Sequence, residues 1–408
     1  MHFIDTHRTL RFFSVAALVC QMSAVGCDLN PDQQPEDALP FEPAGTFAAP
    51  EPSQMGPFPV GVQTITLQDS SRTSPSGEGS RTLITEIWYP SVSHADDAET
   101  VTYDMWENLP DSLKEDIPRD ALGSLPTAAV RDADLDKTHG PYPVVVFSHG
   151  KGGIRMQSTF FTVMLASHGY IVLSADHEGD TLVELLEEGD VVVSTTVDSF
   201  IDRPVDASFL VSYMEDLEEG DFFYGHANME QVGIVGHSFG ALTAFRTAGY
   251  DARIRAVAAH TPVGYGLVNA GLEVSPEDFG IPVMLEAAGM DETLPAEEHA
   301  GSMWDHVLPP RYYLTINRAG HFTYSDLCIF DIEAIDASLE IDASNVLTDG
   351  CGEANIQPDV AFPLINHTTI GFFNRYLRES AVSEIYLEQD YVHRLADESE
   401  STLLAEPF

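Results

Sequence analysis

Short apolar runs alternate with amphipathic segments along most of the chain. Apolar runs bounded by turn residues predict buried strands, because a strand covered on both faces carries no polar side. The predicted strands are Pro143–Phe147, Tyr170–Ala175, Val232–Val235, Ile254–Ala259, Val283–Ala287 and Tyr312–Ile316, and the predicted helices are Phe160–His168, Pro204–Leu217, Ala241–Ala248 and Asn366–Leu377. This alternation predicts an α/β fold with a mostly parallel central sheet and helices on both faces.

Two further strands are predicted ahead of this region. Gly61–Leu67 and Arg81–Tyr89 have β-rich composition, and Ser, Gly and Pro turn residues separate them. We therefore predict two antiparallel strands at the N-terminal edge of the sheet. Residues 96–139 are polar with short helical stretches, and we interpret them as a segment that extends from the domain rather than as a domain of its own.

The termini differ in composition from this body. Residues 1–26 resemble an export signal, since a weakly basic start precedes an apolar segment too short for a comfortable transmembrane helix. Residues 27–56 are rich in Pro, Glu, Ala and Gln and predict a flexible tether. We expect residues 57–380 to form the folded domain and residues 381–408 to form an acidic tail.

The cysteines predict a lipid anchor and a disulfide. Cys27 follows a small residue and resembles the lipidated cysteine of a bacterial lipoprotein, although Ala24 stands where such signals usually carry Leu. We expect a lipid-anchored protein of the bacterial cell envelope, with plain cleavage and secretion as the alternative. Export leads to an oxidising compartment, so Cys328 and Cys351 are expected to pair. The bridge would close the insertion between them and stabilise the fold by about 3 kcal/mol; two separate buried thiols are the alternative.

Charge restricts the partners. The 408 residues contain 65 acidic and 19 Lys or Arg residues, which gives a formal net charge of −46. A surface this acidic repels phosphate backbones, so nucleic acid is not an expected partner. We interpret the excess as a solvated acidic shell suited to a salty medium.

The segment Gly236–Gly240 carries the strongest chemical signal. Its sequence, Gly-His-Ser-Phe-Gly, follows a predicted strand and opens a predicted helix, which is the context of a nucleophile elbow. The sharp turn holds its central residue in strained geometry, so the flanking positions must be glycine. Ser238 is therefore the predicted nucleophile.

A serine hydroxyl needs a base that accepts its proton. His321 lies in Arg-Ala-Gly-His-Phe directly after a predicted strand, and Gly320 lets the chain turn the imidazole back toward the serine. We predict His321 as the base. The rival histidines, for which surface or packing roles fit better, are His299, His306 and His367.

The base in turn needs a carboxylate that orients it. Asp291 follows the predicted strand Val283–Ala287, two elements after the serine, and is the predicted acid. Glu286 and Glu292 are the local alternatives. The expected chain order is Ser, then acid, then His.

A glycine-rich loop, Phe147–Gly153, follows another predicted strand and leaves backbone N–H groups free to point into the site. The N–H groups of Lys151 and Phe239 are the predicted oxyanion hole, each worth roughly 2.7–4 kcal/mol in a transition state. We interpret His149 as a brace of this loop and His237 as a packing residue. A zinc site of His149, Asp176 and His177 is not expected, because the spacing of these residues along the chain does not suit three ligands of one metal ion.

These segments resemble α/β-hydrolases of the platelet-activating factor acetylhydrolase and dienelactone hydrolase-like group. The resemblance rests on Phe147–Gly150, Gly236–Gly240 and Gly320–Phe322, and it covers roughly residues 57–377. It implies the α/β-hydrolase fold and a serine carboxylesterase that acts on lipid or small esters without metal or cofactor. In that group the oxyanion donors follow the nucleophile and a His-Gly pair, which match Phe239 and Lys151 here.

One position departs from the acetylhydrolases. Those enzymes take the acid from just after the strand that follows the nucleophile helix, where this chain has Ala259–Pro262 without a carboxylate. The departure favours an esterase that is less specific than an acetylhydrolase. We expect the protein to be a monomer that a lipid anchor holds at the membrane. An acyltransferase on the same triad and a catalytically silent surface binding protein are the alternatives.

Overall fold

The computed structural model describes residues 50–92, 98–188, 193–272, 275–339 and 344–408. Within them, eleven strands form one sheet. The strands are β1 (Val60–Thr73), β2 (Ser80–Pro90), β3 (Thr100–Asp104), β4 (Ser124–Arg131), β5 (Tyr142–Ser148), β6 (Ile171–Ala175), β7 (Ala227–His237), β8 (Ile254–His260), β9 (Val283–Ala288), β10 (Arg311–Ile316) and β11 (Ser401–Glu406).

The strand order is β11-β10-β9-β8-β7-β5-β6-β2-β1-β4-β3. The six strands from β10 to β6 are parallel to one another, as the alternating pattern predicts. The strands β2 and β1 continue the sheet in antiparallel fashion, and β11 pairs antiparallel with β10 at the other edge. The strand β4 pairs in parallel with β1 and antiparallel with β3, so the sheet is mixed around a parallel centre.

Helices cover both faces of the sheet. They are α1 (Asp111–Lys114), α2 (Thr159–Ser167), α3 (Leu182–Glu188), α4 (Val193–Glu215), α5 (Phe239–Ala248), α6 (Tyr265–Val268), α7 (Ala300–Trp304), α8 (Ile332–Leu339), α9 (Ser344–Val346), α10 (Pro358–Tyr376) and α11 (Gln389–Val392). Short 3₁₀ helices span Met105–Asn108, Pro276–Asp278, His321–Tyr324, Asp326–Ile329 and Ala381–Leu387, and one π turn spans Leu347–Cys351.

Strand β5 shows why its sequence is a continuous apolar run. Val144 and Val146 join the core on the face covered by α4 and α5, whereas Val145 and Phe147 join the core on the face covered by α2 and α10. All four side chains are at most 1% exposed. Apolar residues at successive positions are thus required by helices on both sides.

The structure differs from the sequence interpretation in three segments. The polar segment 96–139 contributes β3 and β4, which lie outside β1 and lengthen the sheet. Helix α4 begins well before Pro204, which lies inside it. Residues 381–408, interpreted as a tail, instead pack on the domain, because Leu403 is buried and β11 pairs with β10 along its whole length.

The N-terminal signal, the lipidation site at Cys27 and the tether as far as residue 49 lie outside the described residues. The end of the tether packs on the domain: the Glu51 carboxylate accepts hydrogen bonds from His367 (2.7 Å) and Tyr391 (2.8 Å). Among the described residues, no helix combines the length and the hydrophobicity that crossing a bilayer requires.

Candidate active site

The predicted site residues follow four parallel strands at their carboxyl ends. Ser238 follows β7, Asp291 follows β9, His321 follows β10 and Lys151 follows β5. Because parallel strands present their carboxyl ends at the same edge of a sheet, all four residues reach one region. The topology thus brings together residues that lie up to 170 positions apart in the chain.

The backbone at Ser238 has the strained form of a nucleophile elbow, with φ 57° and ψ −118°. Such a positive φ is rare for a residue with a side chain. The glycines on either side allow the turn: a Cβ at Gly236 would lie 2.1 Å from the carbonyl oxygen of Gly240, and one at Gly240 would lie 1.9 Å from that of Ser148. The hydroxyl of Ser238 therefore projects beyond the edge of the sheet at the start of α5.

Ser238, His321 and Asp291 form a continuous hydrogen-bonded relay. The Oγ of Ser238 lies 2.9 Å from His321 Nε2, and His321 Nδ1 lies 2.9 Å from Asp291 Oδ2. Asp291 Oδ1 accepts from the N–H of Leu294 at 2.5 Å, which fixes the carboxylate. Ser238 is partly exposed, whereas the imidazole and the carboxylate are buried behind it.

The rival residues point elsewhere. Glu286 is fully buried and accepts from the hydroxyls of Thr368 and Thr369, while Glu292 is exposed. At the alternative acid position that the family resemblance implies, Thr261 has φ 44°, and its buried hydroxyl has no hydrogen-bond partner among the described residues.

The rival histidines are also occupied by other contacts. His299 accepts from the N–H of Gly264, His306 stacks on Tyr265, and His367 binds Glu51. His321 is thus the histidine that the structure brings to Ser238.

The two predicted oxyanion donors are free among the described residues. The carbonyl oxygen of Gly150 accepts from His149 Nδ1 (2.7 Å), from the N–H of Gly153 (3.2 Å) and from Arg203 (3.4 Å). In a trans peptide the N–H points opposite to the C=O. The N–H of Lys151 therefore points away from these groups, and that of Phe239 is the first free donor of α5.

His149 and His237 brace the site as neutral imidazoles. His149 donates to the Gly150 carbonyl, and burial lowers its pKa well below the usual range. His237 lies between the oxyanion loop and the base: Gln157 donates to its Nδ1 (3.0 Å), and its Nε2 donates to the carbonyl oxygen of His321 (3.0 Å). Burial and the adjacent His321 also lower the pKa of His237.

Arg203 is a buried part of the site that no sequence motif indicates. It donates to Ser148 Oγ (2.9 Å) and to the carbonyl oxygens of His149 and Gly150, and it pairs with Asp180 at 3.0 Å. Asp180 also accepts from the N–H of Gly152 at 3.0 Å. The Arg203 guanidinium thus restrains the oxyanion loop, Phe147–Gly153, on its buried side. An arginine beside a proline in an amphipathic helix carries no local signal of this role.

The insertion between Cys328 and Cys351 also reaches the site. The two cysteines form a disulfide, and the nearby Asp349 accepts from the N–H of His321 at 2.9 Å. The zinc arrangement considered from sequence does not assemble, since Asp176 pairs with Arg155, and His177 lies between Ser148 and Asp206.

Two family models match overlapping parts of the chain. The model of platelet-activating factor acetylhydrolase, isoform II, matches residues 47–183, and that of the dienelactone hydrolase family matches residues 133–304. The second match includes Ser238 and Asp291. Both families are those that the sequence motifs resemble.

Curated proteins that are similar to this chain in sequence are also named platelet-activating factor acetylhydrolase. Platelet-activating factor acetylhydrolases of Bos taurus and Cavia porcellus are 26% and 25% identical to this chain over 168 and 164 residues. Each match covers 33% of this chain, and it covers 38% of the Bos taurus protein and 37% of the Cavia porcellus protein. The similarity in sequence therefore spans well under half the length of these relatives.

The fold matches over a longer range. The structure of a ferulic acid esterase from Streptomyces cinnamoneus superposes with a TM-score of 0.61 and covers 85% of this chain and 96% of that one, at 23% identity. The relatives in sequence and in structure are named for the hydrolysis of esters. The chain has the α/β-hydrolase fold, and its sequence is similar to the acetylhydrolase and dienelactone hydrolase families.

Proposed function

We propose that this protein is a serine carboxylic-ester hydrolase that works through an acyl-enzyme. The observation that carries the proposal is the relay from Ser238 through His321 to Asp291, with both hydrogen bonds at 2.9 Å and two free N–H donors beside the serine. A nucleophile, a base, an orienting acid and an oxyanion hole are the groups that acyl transfer needs.

In the first half of the proposed reaction, Ser238 Oγ attacks the ester carbonyl carbon while His321 Nε2 takes the hydroxyl proton. The carbonyl oxygen becomes an oxyanion, which the N–H groups of Phe239 and Lys151 stabilise. Asp291 holds the imidazolium in the orientation that faces the serine. The C–O bond to the alcohol then breaks, and His321 gives its proton to the departing alkoxide.

In the second half, a water molecule takes the place of the alcohol. His321 removes a proton from this water, whose oxygen attacks the acyl carbon of the Ser238 ester. The tetrahedral intermediate uses the same oxyanion donors. Its collapse breaks the bond to Ser238 Oγ, which recovers its proton from His321, and the carboxylic acid leaves.

We propose lipid or small esters as the substrate class, on the similarity to acetylhydrolases and to a ferulic acid esterase. The test is a p-nitrophenyl acetate assay with and without an added alcohol. Release of p-nitrophenol with acetate as the product supports a hydrolase. Ester formation with the alcohol as the main product indicates an acyltransferase, and no turnover of any short-chain ester supports a binding protein.

We further propose that the enzyme is exported and held at a membrane through Cys27, which rests on the signal-like N-terminus alone. Replacing this cysteine, Cys27→Ser, should move the protein from the membrane fraction to the soluble fraction in its native host. A wild-type protein that is already soluble after export would contradict the anchor.

A further inference from the structure

Asp349 lies at the end of the disulfide-closed insertion and accepts four hydrogen bonds from two catalytic loops. Its Oδ1 accepts from the N–H groups of Glu292 and His321, each at 2.9 Å. Its Oδ2 accepts from the N–H (2.9 Å) and the hydroxyl (2.7 Å) of Thr293. The residue is 2% exposed. One carboxylate thus binds the residues directly after the acid Asp291 and the backbone of the base itself.

These contacts join the two partners of a catalytic hydrogen bond. Asp291 and His321 stand on separate loops, after β9 and β10. Their side chains meet at 2.9 Å, and Asp349 bridges the same two loops through their main chains. Because Asp349 accepts from backbone N–H groups, it restrains the main chain of both loops as well as the side chains that the loops carry.

The backbone around Asp349 packs closely against the loop that carries His321. A Cβ at Gly320 would lie 2.4 Å from the carbonyl carbon of Asp349, and one at Gly350 would lie 2.6 Å from the N–H nitrogen of Thr323. Thr323 Oγ1 donates to the Gly350 carbonyl oxygen at 3.1 Å. The next residue, Cys351, is bonded to Cys328, which adds a covalent restraint on this segment.

We propose that Asp349 is a positioning residue that sets the Asp291–His321 hydrogen bond and adds negative charge beside the base. The proposal rests on the proposed function, since it assigns a role within that triad. The titratable groups that face the His321 ring include Asp291 at Nδ1 and His237, whose ring centre lies 4.9 Å away. Asp349 adds a carboxylate on the backbone side of the same residue.

The experiment measures how fast a fluorophosphonate labels Ser238 as a function of pH, together with kcat and KM on p-nitrophenyl acetate. In Asp349→Asn, an amide replaces the acceptor of charge-assisted bonds. We expect labelling and kcat to fall about 10- to 100-fold with little change in KM. The pKa that governs labelling should move to lower pH, because a lost negative charge disfavours the imidazolium.

A matched control is Asp326→Asn. Asp326 is also 2% exposed, also lies near the disulfide, and accepts from the hydroxyl and N–H of Thr159 and the N–H of Phe160, away from the triad. It should leave the labelling rate and its pH profile unchanged. Asp349→Asn with a lower Tm but wild-type kcat and pH profile would overturn the proposal.

If Asp349→Asn does not fold, the milder Thr293→Val decides, because it removes one donor at an exposed position. Labelling about 2- to 10-fold slower at unchanged Tm supports the proposal, and a wild-type rate overturns it. Labelling does not depend on the ester chosen. Absence of ester turnover in the wild type would therefore count against the proposed function alone, while the difference between variants in labelling would still test Asp349.

Discussion

The molecule contains two Ser–His–Asp arrangements with the same distances. In the edge triad, Ser238 and Asp291 each lie 2.9 Å from His321. In the buried relay, Ser148 Oγ lies 2.9 Å from His177 Nε2, and His177 Nδ1 lies 2.9 Å from Asp206 Oδ2. Hydrogen-bond geometry alone therefore does not distinguish a catalytic group from a structural one.

Access and backbone geometry separate the two. Ser148 is the last residue of β5 and is 0% exposed, as is Asp206, and His177 is 1% exposed. Ser238 is partly exposed and has the positive φ of an elbow, with two free N–H donors beside it. A substrate carbonyl can approach the edge triad, whereas helices and loops enclose the buried relay.

Electrostatics separates them further. Burial would raise the pKa of Asp206, but hydrogen bonds from Arg81 and His177 lower it below its ordinary value, and Arg72 also pairs with this carboxylate. Burial lowers the pKa of His177 to about 4, with Arg203 adding to the effect. The buried imidazole therefore stays neutral, and the relay serves as a polar brace beneath the oxyanion loop rather than as a proton acceptor.

The serine substitutions should separate the two groups most strongly. Ser238→Ala removes the nucleophile, and we expect kcat on p-nitrophenyl acetate to fall by about 10⁶-fold with the Tm unchanged. Ser148→Ala should keep kcat within about tenfold but lower the Tm, because Arg203 loses an acceptor. Comparable losses of activity in both variants at equal folded fraction would break the comparison.

The acid substitutions should differ in kind. Asp291→Asn keeps the shape but favours the wrong tautomer of His321, so we expect turnover to fall by about 10⁴-fold with little loss of stability. Asp206→Asn removes the fully buried negative charge that pairs with Arg81 and Arg72 and should lower the free energy of unfolding by about 3–5 kcal/mol. Steady-state assays and denaturant titrations of both variants measure the contrast. A fully active Asp291→Asn enzyme would refute the assignment of the acid, and Thr261→Ala should change turnover far less.

The edge triad could be predicted because each member belongs to a local motif. Ser238 lies between two glycines after an apolar run, and Asp291 and His321 follow two more apolar runs. Strand runs and turn residues are local signals, and the parallel topology supplies the rest. The disulfide partners followed from the small number of cysteines.

The supporting parts could not be predicted, because they depend on contacts between distant segments. Arg203 binds the oxyanion loop 53 to 55 positions earlier, and Asp349 binds the acid loop 56 to 57 positions earlier. Neither carries a pattern of its own. The six residues of strand β11 are half acidic or polar and carry no strand pattern of their own, and only pairing with β10 makes them a strand.

Acid should destabilise the protein partly by protonating His177 of the buried relay. This change in stability is the smallest of the effects that we predict. His177 has a pKa of about 4 in the folded protein against about 6.5 when unfolded. Below pH 6.5 the unfolded chain binds the additional proton, so the stability from this residue is present above pH 6.5 and is lost as pH falls toward 4. The difference corresponds to about 3 kcal/mol.

The measurement compares the free energy of unfolding between pH 7 and pH 4 in the wild type and in His177→Gln, which does not titrate. Other buried histidines contribute to both proteins, so only the difference in slope reports on His177. The variant should be less stable at pH 7 yet lose less stability on acidification. Glu286 gives a control of opposite sign: burial raises its pKa to about 8, so its contribution is lost as pH rises from about 4.5 toward 8. Glu286→Gln should therefore lose more stability than the wild type as pH falls from about 7 to about 4.5. Equal acid slopes in wild type and His177→Gln would mean that folding does not lower the pKa of the buried imidazole, and the electrostatic distinction between the two relays would fail.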